Sequence, residues 1–454
     1  MKTINHVRAE IFALVKLAMP VSLAHLSLVG MSATDVVIAG KAGTLELAGM
    51  TLGVNTWNMI VLFFMGIGFA TQPLVAKQFG AGSDEGVKNQ LHQSIWMCLL
   101  LGVLATLVVW GGVWALGFAD FDGAMLAIAQ EFLLVISLCA IPITLMSALR
   151  GTLEGMSLTR VVFFVSFAAF LINIPLDYIL VNGLFGFPRM GGVGCAWATA
   201  SLMWLSCIAA AMILKWHHSL RDKALFTHFA KPDFSAIKNT LNLGLPIGFS
   251  IVIELSMFSG AGLFIASFGP EQAGAHAVAI TVASMSFMIY MGVAQGITIR
   301  TSQFLGAADH QAAWFTIKVG SLFNLVIAAV ICLVFVIETE SIIHLFSSDP
   351  KLIPLAVILL NFGAAFQLAD SLQVSMIHGL RAYHDTASPP RYQLIAFWIF
   401  GLPIGVGLSY GWWLPSLEGA KGMWFAMVLS LTVVGLLLLV RLLAHQKQFQ
   451  LCQR

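Results

Sequence analysis

The chain has 454 residues, of which 59% are hydrophobic and only 10% are charged. Soluble domains carry about 25% charged residues, so this chain cannot cover its surface with polar side chains and lipid must form part of its solvent. The net charge of +2 is no sign of nucleic-acid binding, and no nucleic-acid partner is expected.

Twelve apolar runs follow one another along the chain, each at least as long as the roughly 20 residues that a spanning helix needs. The sequence therefore predicts an all-α membrane protein. The first run follows Lys2 and Arg8 and has no small-residue cleavage site after it, so we expect a retained span rather than a signal peptide. The predicted spans are 11–39, 46–72, 90–118, 123–148, 159–182, 192–216, 236–267, 272–299, 312–337, 351–378, 391–411 and 418–443.

The longest polar interval, 217–235, lies near the middle of the chain and predicts a cytoplasmic linker. It separates a predicted N-lobe, 1–216, from a predicted C-lobe, 236–454, with six spans in each.

The two halves resemble each other. LAMPVSL near the start matches LGLPIGF after the linker, which pairs Pro20 with Pro246, and the same offset pairs Gly66 with Gly292. An even number of spans separates the copies, so both halves enter the membrane in the same direction. This arrangement predicts a pseudo-twofold axis along the membrane normal, a common plan among transporters.

Lys and Arg are distributed unequally between the two sides of this layout. With both termini in the cytoplasm, all but four of the 23 Lys and Arg residues fall on the cytoplasmic side or near it. The positive-inside rule then favours this orientation, in the inner membrane of the cell. The four exceptions are Lys41, Arg189, Lys351 and Lys421.

Four acids, Asp35, Asp177, Glu254 and Asp370, lie well inside predicted spans. A charge at the bilayer centre costs at least about 2.5–3.5 kcal/mol on insertion scales. No Lys or Arg lies at a similar depth in the sequence, so these acids must be protonated, hold a cation or be strongly hydrogen-bonded.

The first two acids predict one oxygen-rich pocket. Asn173 and Asp177 stand four apart and share a helix face, while Pro175 between them frees a backbone carbonyl. Together with Asp35 and the hydroxyl of Thr199, they offer ligands for Na⁺, and the same pocket suits a proton. The alternative is that these acids are structural and simply hydrogen-bonded.

Glu254 and Asp370 predict a second acidic site in the other half, for a cation or for substrate. Gln367 and Gln373 flank Asp370 and add amide groups. Here too the alternative is a pair of hydrogen-bonded structural acids.

Several kinds of chemistry have no sequence signature. No GxxxxGK[ST] or HExxH motif and no nucleophile–base pattern occurs, so neither an enzyme nor a bound cofactor is expected. The six cysteines form no CxxC pair, and we interpret them as small buried hydrophobic residues.

The sequence as a whole resembles the multidrug and toxic compound extrusion (MATE) transporters of the bacterial NorM/DinF kind. The likeness rests on the order and spacing of several segments over nearly the whole chain. These are LAMPVSL, TDVVIAG, LRGTLEGMSLTR, INIPLDYIL, GGVGCAWAT, GAHAVAI and ADSLQV.

This resemblance implies twelve helices in two lobes around a V-shaped cleft. It also implies export of drug-like, amphipathic and often cationic compounds in exchange for a cation, with Na⁺ favoured over H⁺ because a C-lobe acid pair is present. Phe366 departs from the family pattern, since sodium-coupled members often have a tyrosine there. The residues that match the N-lobe cation or proton site are Asp35, Asn173, Asp177 and Thr199, and those that match the C-lobe acids are Glu254 and Asp370.

Three other functions fit a polytopic chain. A flippase for a lipid-linked precursor would need a cationic cavity, whereas these spans hold acids. A membrane-embedded enzyme would need catalytic pairs, and a channel would show flux that neither saturates nor is coupled. Small drugs and dyes and the lipid bilayer are the expected partners, and a monomer is the expected state.

Overall fold

The computed structural model describes residues 2–118, 121–346 and 349–452, and nearly all of them are helical. Within these described ranges, twelve helical stretches are long and apolar enough to cross a membrane, which confirms the predicted number of spans. The helices are α1 Lys2–Ala42, α2 Thr44–Gly68, α3 Thr71–Gly80, α4 Asp84–Leu116, α5 Gly123–Ile136, α6 Ala140–Gly155, α7 Thr159–Asn182, α8 Val193–Trp216, α9 Phe234–Ala266, α10 Pro270–Gly306, α11 His310–Ile337, α12 Thr339–His344, α13 Ile353–Ala382, α14 Ser388–Gln393, α15 Leu402–Ser409 and α16 Ala420–Cys452.

Some spans are interrupted helices, which the apolar pattern does not reveal. The fourth span consists of α5 and α6 joined by a 3₁₀ turn at Ser137–Cys139. The eleventh consists of α14 and α15 joined by a π-helical segment at Leu394–Gly401. π-Helical segments often occur at functional sites, and Gln393, immediately before this one, donates to the Glu254 carboxylate.

Contacts divide the chain into two units. Unit 1 contains Met1–Ser22 and Phe249–Arg454, and unit 2 contains Leu23–Gly248. Each boundary falls inside a helix, α1 and α9 respectively, two residues after Pro20 and Pro246. The predicted lobe boundaries at 216 and 236 remain a prediction.

The repeat offset is visible in how these two helices pack. In unit 1, the Ser22 hydroxyl donates to the Ile289 carbonyl, and a side chain at Gly292 would collide with Ser22. In unit 2, a side chain at Gly248 would collide with the Phe63 carbonyl. Gly248 is the repeat partner of Ser22, so equivalent helix pairs approach closely in both units.

The predicted linker is fixed to α4 within unit 2. His92 contacts the Leu225 carbonyl at 2.6 Å and accepts from the Ala230 amide at 3.1 Å. Gln93 and Trp96 bond the backbone at Lys231 and Ala230. The predicted linker is therefore ordered and held against α4 up to the start of α9.

Candidate functional site

The acids of unit 2 meet where α1, α7 and α8 come together. The Asn173 amide nitrogen donates to Asp35 Oδ1 at 3.3 Å. Carboxylate oxygens of Asp35 and Asp177 and the sulfur of Cys195 all lie within 4.8 Å of one another. The structure thus brings together Asp35, Asn173 and Asp177, which the sequence singled out, and adds Cys195.

The local sequence explains the placement of these groups. Asn173 and Asp177 lie one turn apart on α7, so both face the same side. Pro175 lies inside the helix and lacks an amide hydrogen, which leaves one carbonyl of the preceding turn without its usual partner. Cys195 lies in the first turn of α8, and its thiol reaches the Asp35 carbonyl at 3.8 Å.

The electrostatics of this cluster are unusual because hydrogen-bond donors are scarce. Asn173 and Asp177 are fully buried. Neither carboxylate oxygen of Asp177 has a hydrogen-bond donor among the described residues, and the same is true of Asn173 Oδ1. Asp35 has the Asn173 amide as a donor and Asp177 has none, so these two facing carboxyl groups require a proton or a cation between them, since two buried like charges repel strongly.

Thr199 is not hydrogen-bonded to the acid cluster, although the sequence predicts that its hydroxyl belongs to the same pocket. It lies one turn after Cys195 on α8 and is half-buried, and its hydroxyl makes no hydrogen bond with the described part of the chain. Its place in a cation site remains a prediction.

The acids of unit 1 both have hydrogen-bond donors, although Asp370 Oδ1 has none among the described residues. Glu254 on α9 accepts from Gln393 at 3.0 Å and from Gln373 at 3.3 Å, so each of its oxygens has a partner. Asp370 on α13 accepts from the Tyr290 hydroxyl at 2.5 Å. The two carboxyl groups are close enough to repel each other electrostatically.

Tyr290 and Cys195 are the contributors that sequence reasoning missed. The tyrosine that the family pattern places at Phe366 is absent, and Phe366 packs against Phe258 and Trp424 instead. Tyr290 on α10 nevertheless supplies a phenol to Asp370 from 80 residues away. No spacing rule connects residues so distant in the chain, and a buried cysteine carries no signal beyond its apolar character.

In the part of the chain that the structure describes, twelve apolar helices built on an internal repeat hold acids in the interior of each unit, as expected of a polytopic membrane protein. The MatE family model matches residues 20–179 and 246–406, and each matched segment begins at a repeat proline. The chain therefore belongs to the MatE family of multidrug efflux transporters, as its resemblance predicted, and it is a multi-pass membrane protein.

Individual relatives agree with this assignment. The chain is 33% identical to a probable multidrug resistance protein NorM of Chromobacterium violaceum, over 95% of this chain and 94% of that one. It is 32% identical to the multidrug resistance protein PmpM of Pseudomonas aeruginosa, over 98% and 93%. A crystal structure of a mutant of the Vibrio cholerae MATE transporter VcmN matches the fold with a TM-score of 0.87 at 17% identity, over 97% and 98% of the two chains.

Proposed function

We propose that the chain is a secondary active exporter of amphipathic, often cationic compounds, driven by antiport with Na⁺ and alternatively with H⁺. The coupling ion is held by Asp35, Asn173 and Asp177, with Thr199 beside them. Glu254 and Asp370 form a second site for a cation or for substrate. The protein acts as a monomer in the inner membrane, with both termini in the cytoplasm.

One observation carries the proposal. Asp177 is fully buried, faces Asp35, and has no hydrogen-bond donor in the described chain at either oxygen. An arrangement of this kind is stable when a cation or proton sits between the carboxyl groups, and it becomes costly when that ion leaves. The free energy of such a site changes when the ion binds or leaves, and coupling to an ion gradient requires this dependence.

The coupling follows from charge. With the acids anionic, a cationic compound is attracted to the protein. When Na⁺ or H⁺ enters, it neutralises the acids, removes that attraction and favours another arrangement of the helices. An ion shifts such an equilibrium only by its different affinity for the two states. A membrane potential supplies about 2.3 kcal/mol per charge per 100 mV.

The choice of ion rests on the ligands. Two carboxylates and an amide oxygen are hard ligands of the kind that Na⁺ prefers, and the second acidic site adds two more carboxyl groups. The same oxygens accept a proton, so the two ions must be distinguished by experiment.

Efflux of one fluorescent cationic dye is measured with Na⁺ present or absent at fixed pH, and then across a pH step at fixed Na⁺. We expect Na⁺ alone to accelerate efflux, and acceleration by the pH step alone would assign the proton.

The residue test uses Asp35→Asn, which keeps shape and removes the charge. We expect dye efflux to fall to the level of cells without the transporter, and its dependence on the cation to vanish. Asp222→Asn makes the same change at an exposed acid outside the spans and controls for expression. Normal, cation-dependent efflux by the Asp35 variant would overturn the proposed mechanism.

A further inference from the structure

The cluster in unit 2 contains one group that the export of organic cations does not explain. Cys195 is 1% exposed, and its sulfur lies within 4.8 Å of carboxylate oxygens of Asp35 and Asp177. We propose that Asp35, Asp177 and Cys195 bind a thiophilic divalent cation of the Zn²⁺ class. The binding stands on this geometry alone, and only its effect on export rests on the proposed function.

The separations suit a single small ion. Zinc binds thiolate sulfur at about 2.3 Å and carboxylate oxygen at about 2.0–2.2 Å, so two of its ligand atoms lie about 3.5 Å apart in tetrahedral geometry. Ligand atoms already within 4.8 Å of each other need side-chain shifts of roughly 1 Å to reach that geometry. Side-chain rotation supplies such shifts without moving a helix.

Three buried oxygens without hydrogen-bond donors in the described chain point to a ligand. The three ligating residues leave one of the four zinc positions open. Asn173 Oδ1 is buried within the same group of side chains and has no donor in the described chain. Asp177, also fully buried, has no donor at either oxygen. The cysteine therefore lies beside buried oxygens that lack partners in the described chain.

The thiol selects the class of metal. Na⁺, Mg²⁺ and Ca²⁺ take oxygen ligands and gain little from sulfur, whereas Zn²⁺ and Cd²⁺ bind thiolates tightly. On binding, the Cys195 S–H bond breaks, a metal–sulfur bond forms and the proton leaves to solvent, with no change of oxidation state. The two positive charges of the metal then lie among ligands that can carry three negative ones.

The position of Asp35 indicates how a metal ion reaches the cluster and what its binding would do to export. Its side chain is only half-buried, whereas Asp177 and Cys195 are closed off, so an ion reaches the cluster from the Asp35 side. A bound metal would tie α1, α7 and α8 together at the acids that hold the coupling ion. Zn²⁺ should therefore inhibit export by occupying that site.

The binding test uses Co²⁺ as a probe on the purified full-length chain. A cobalt–thiolate bond gives a near-ultraviolet charge-transfer band that carboxylates do not give. We expect this band in the wild type and in Cys207→Ser, a buried cysteine farther along α8. The band should be absent in Cys195→Ser and in Asp177→Asn, and added Zn²⁺ should remove it from the wild type.

The contrary results are equally clear. A wild type without the band, or a Cys195→Ser protein that keeps it, overturns the metal site. This measurement does not depend on transport, so it tests the metal site even if the proposed export function is wrong.

A second experiment measures how Zn²⁺ affects export by each protein. Dye efflux is measured at increasing Zn²⁺ and expressed as a fraction of the zinc-free rate of the same protein. We expect Cys195→Ser to need about tenfold more Zn²⁺ for half-inhibition than wild type or Cys207→Ser, since one metal–ligand bond is lost. Equal sensitivity in all three proteins would show that zinc acts elsewhere and would overturn the inhibitory role.

Discussion

Asp177 and Glu254 are both carboxyl groups inside apolar helices, but their surroundings differ sharply. Glu254 accepts a hydrogen bond at each oxygen from Gln393 and Gln373. Asp177 faces Asp35 and has no donor in the described chain. The protein satisfies both oxygens of Glu254 with its own side chains, whereas the Asp35–Asp177 pair depends on something that binds.

This difference is set against a symmetric scaffold. The repeat that relates Pro20 to Pro246 also relates the close helix contacts at Ser22 and Gly248. The acids do not follow it, because Asp35 aligns with Ala261 and Glu254 with Leu28. The two units therefore share a packing plan and carry different chemistry, and the predictions below test that difference.

The largest expected effect is on transport. Asp177→Asn should reduce cation-driven dye efflux to background, because the amide cannot carry the charge that balances the coupling ion. Efflux from cells with matched expression is the measurement, and Asp222→Asn should leave it unchanged. Efflux by the Asp177 variant within twofold of wild type would remove this acid from the coupling site.

Stability should respond with opposite signs at the two acids. Glu254→Gln sets an amide against the amide donors of Gln393 and Gln373, which should cost about 2–3 kcal/mol through unsatisfied buried groups. Asp177→Asn removes a buried carboxyl without donors and should raise the unfolding temperature in Na⁺-free buffer at pH 8. Thermal unfolding of both purified variants, followed by tryptophan fluorescence, is the measurement. The comparison fails if both changes shift the unfolding temperature in the same direction.

Tyr290→Phe tests the donor that serves Asp370. Loss of this hydrogen bond to a buried carboxyl should cost about 1.5 kcal/mol. Tyr410→Phe makes the same change at an exposed ring and is the matched control. Chemical denaturation of the two variants measures the difference, and equal stability would mean that Asp370 does not depend on the phenol.

The smallest effect concerns an acid outside the spans. Burial alone would raise the pKa of Asp385, but hydrogen bonds from His445, Arg441 and Ser388 outweigh it and hold that pKa below its ordinary value. Asp385 should therefore stabilise the fold above the ordinary pKa and lose that contribution as the pH falls through its lowered pKa. Asp385→Asn should cost no more than about 1 kcal/mol at pH 7.

The check is thermal unfolding of wild type and Asp385→Asn between pH 7 and pH 3. The difference in stability should shrink toward the acid end. A difference that grows as the pH falls would reverse the assigned sign. Unlike Asp177, this acid has a cationic partner from the protein itself, Arg441, so its substitution should leave efflux unchanged.

The resemblance of several ordered segments was sufficient to predict the family, and the apolar pattern was sufficient to predict twelve spans, because both are local properties of the sequence. It also indicated Asp35, Asn173 and Asp177, since an acid inside a span is costly wherever it lies. It could not reveal Cys195 or Tyr290, whose importance comes from contacts across distant helices. Met1–Ser22 belongs to the same unit as Phe249–Arg454, and this grouping depends on tertiary packing and has no local sequence signature.

The most direct test of the account is cation uptake by the purified protein. Na⁺ is titrated calorimetrically at fixed pH, and protons are titrated at fixed Na⁺, for wild type, Asp177→Asn and Asp222→Asn. The account predicts that wild type and Asp222→Asn take up the cation equally and that Asp177→Asn takes up neither ion at this site. Identical titration curves for Asp177→Asn and wild type would contradict it.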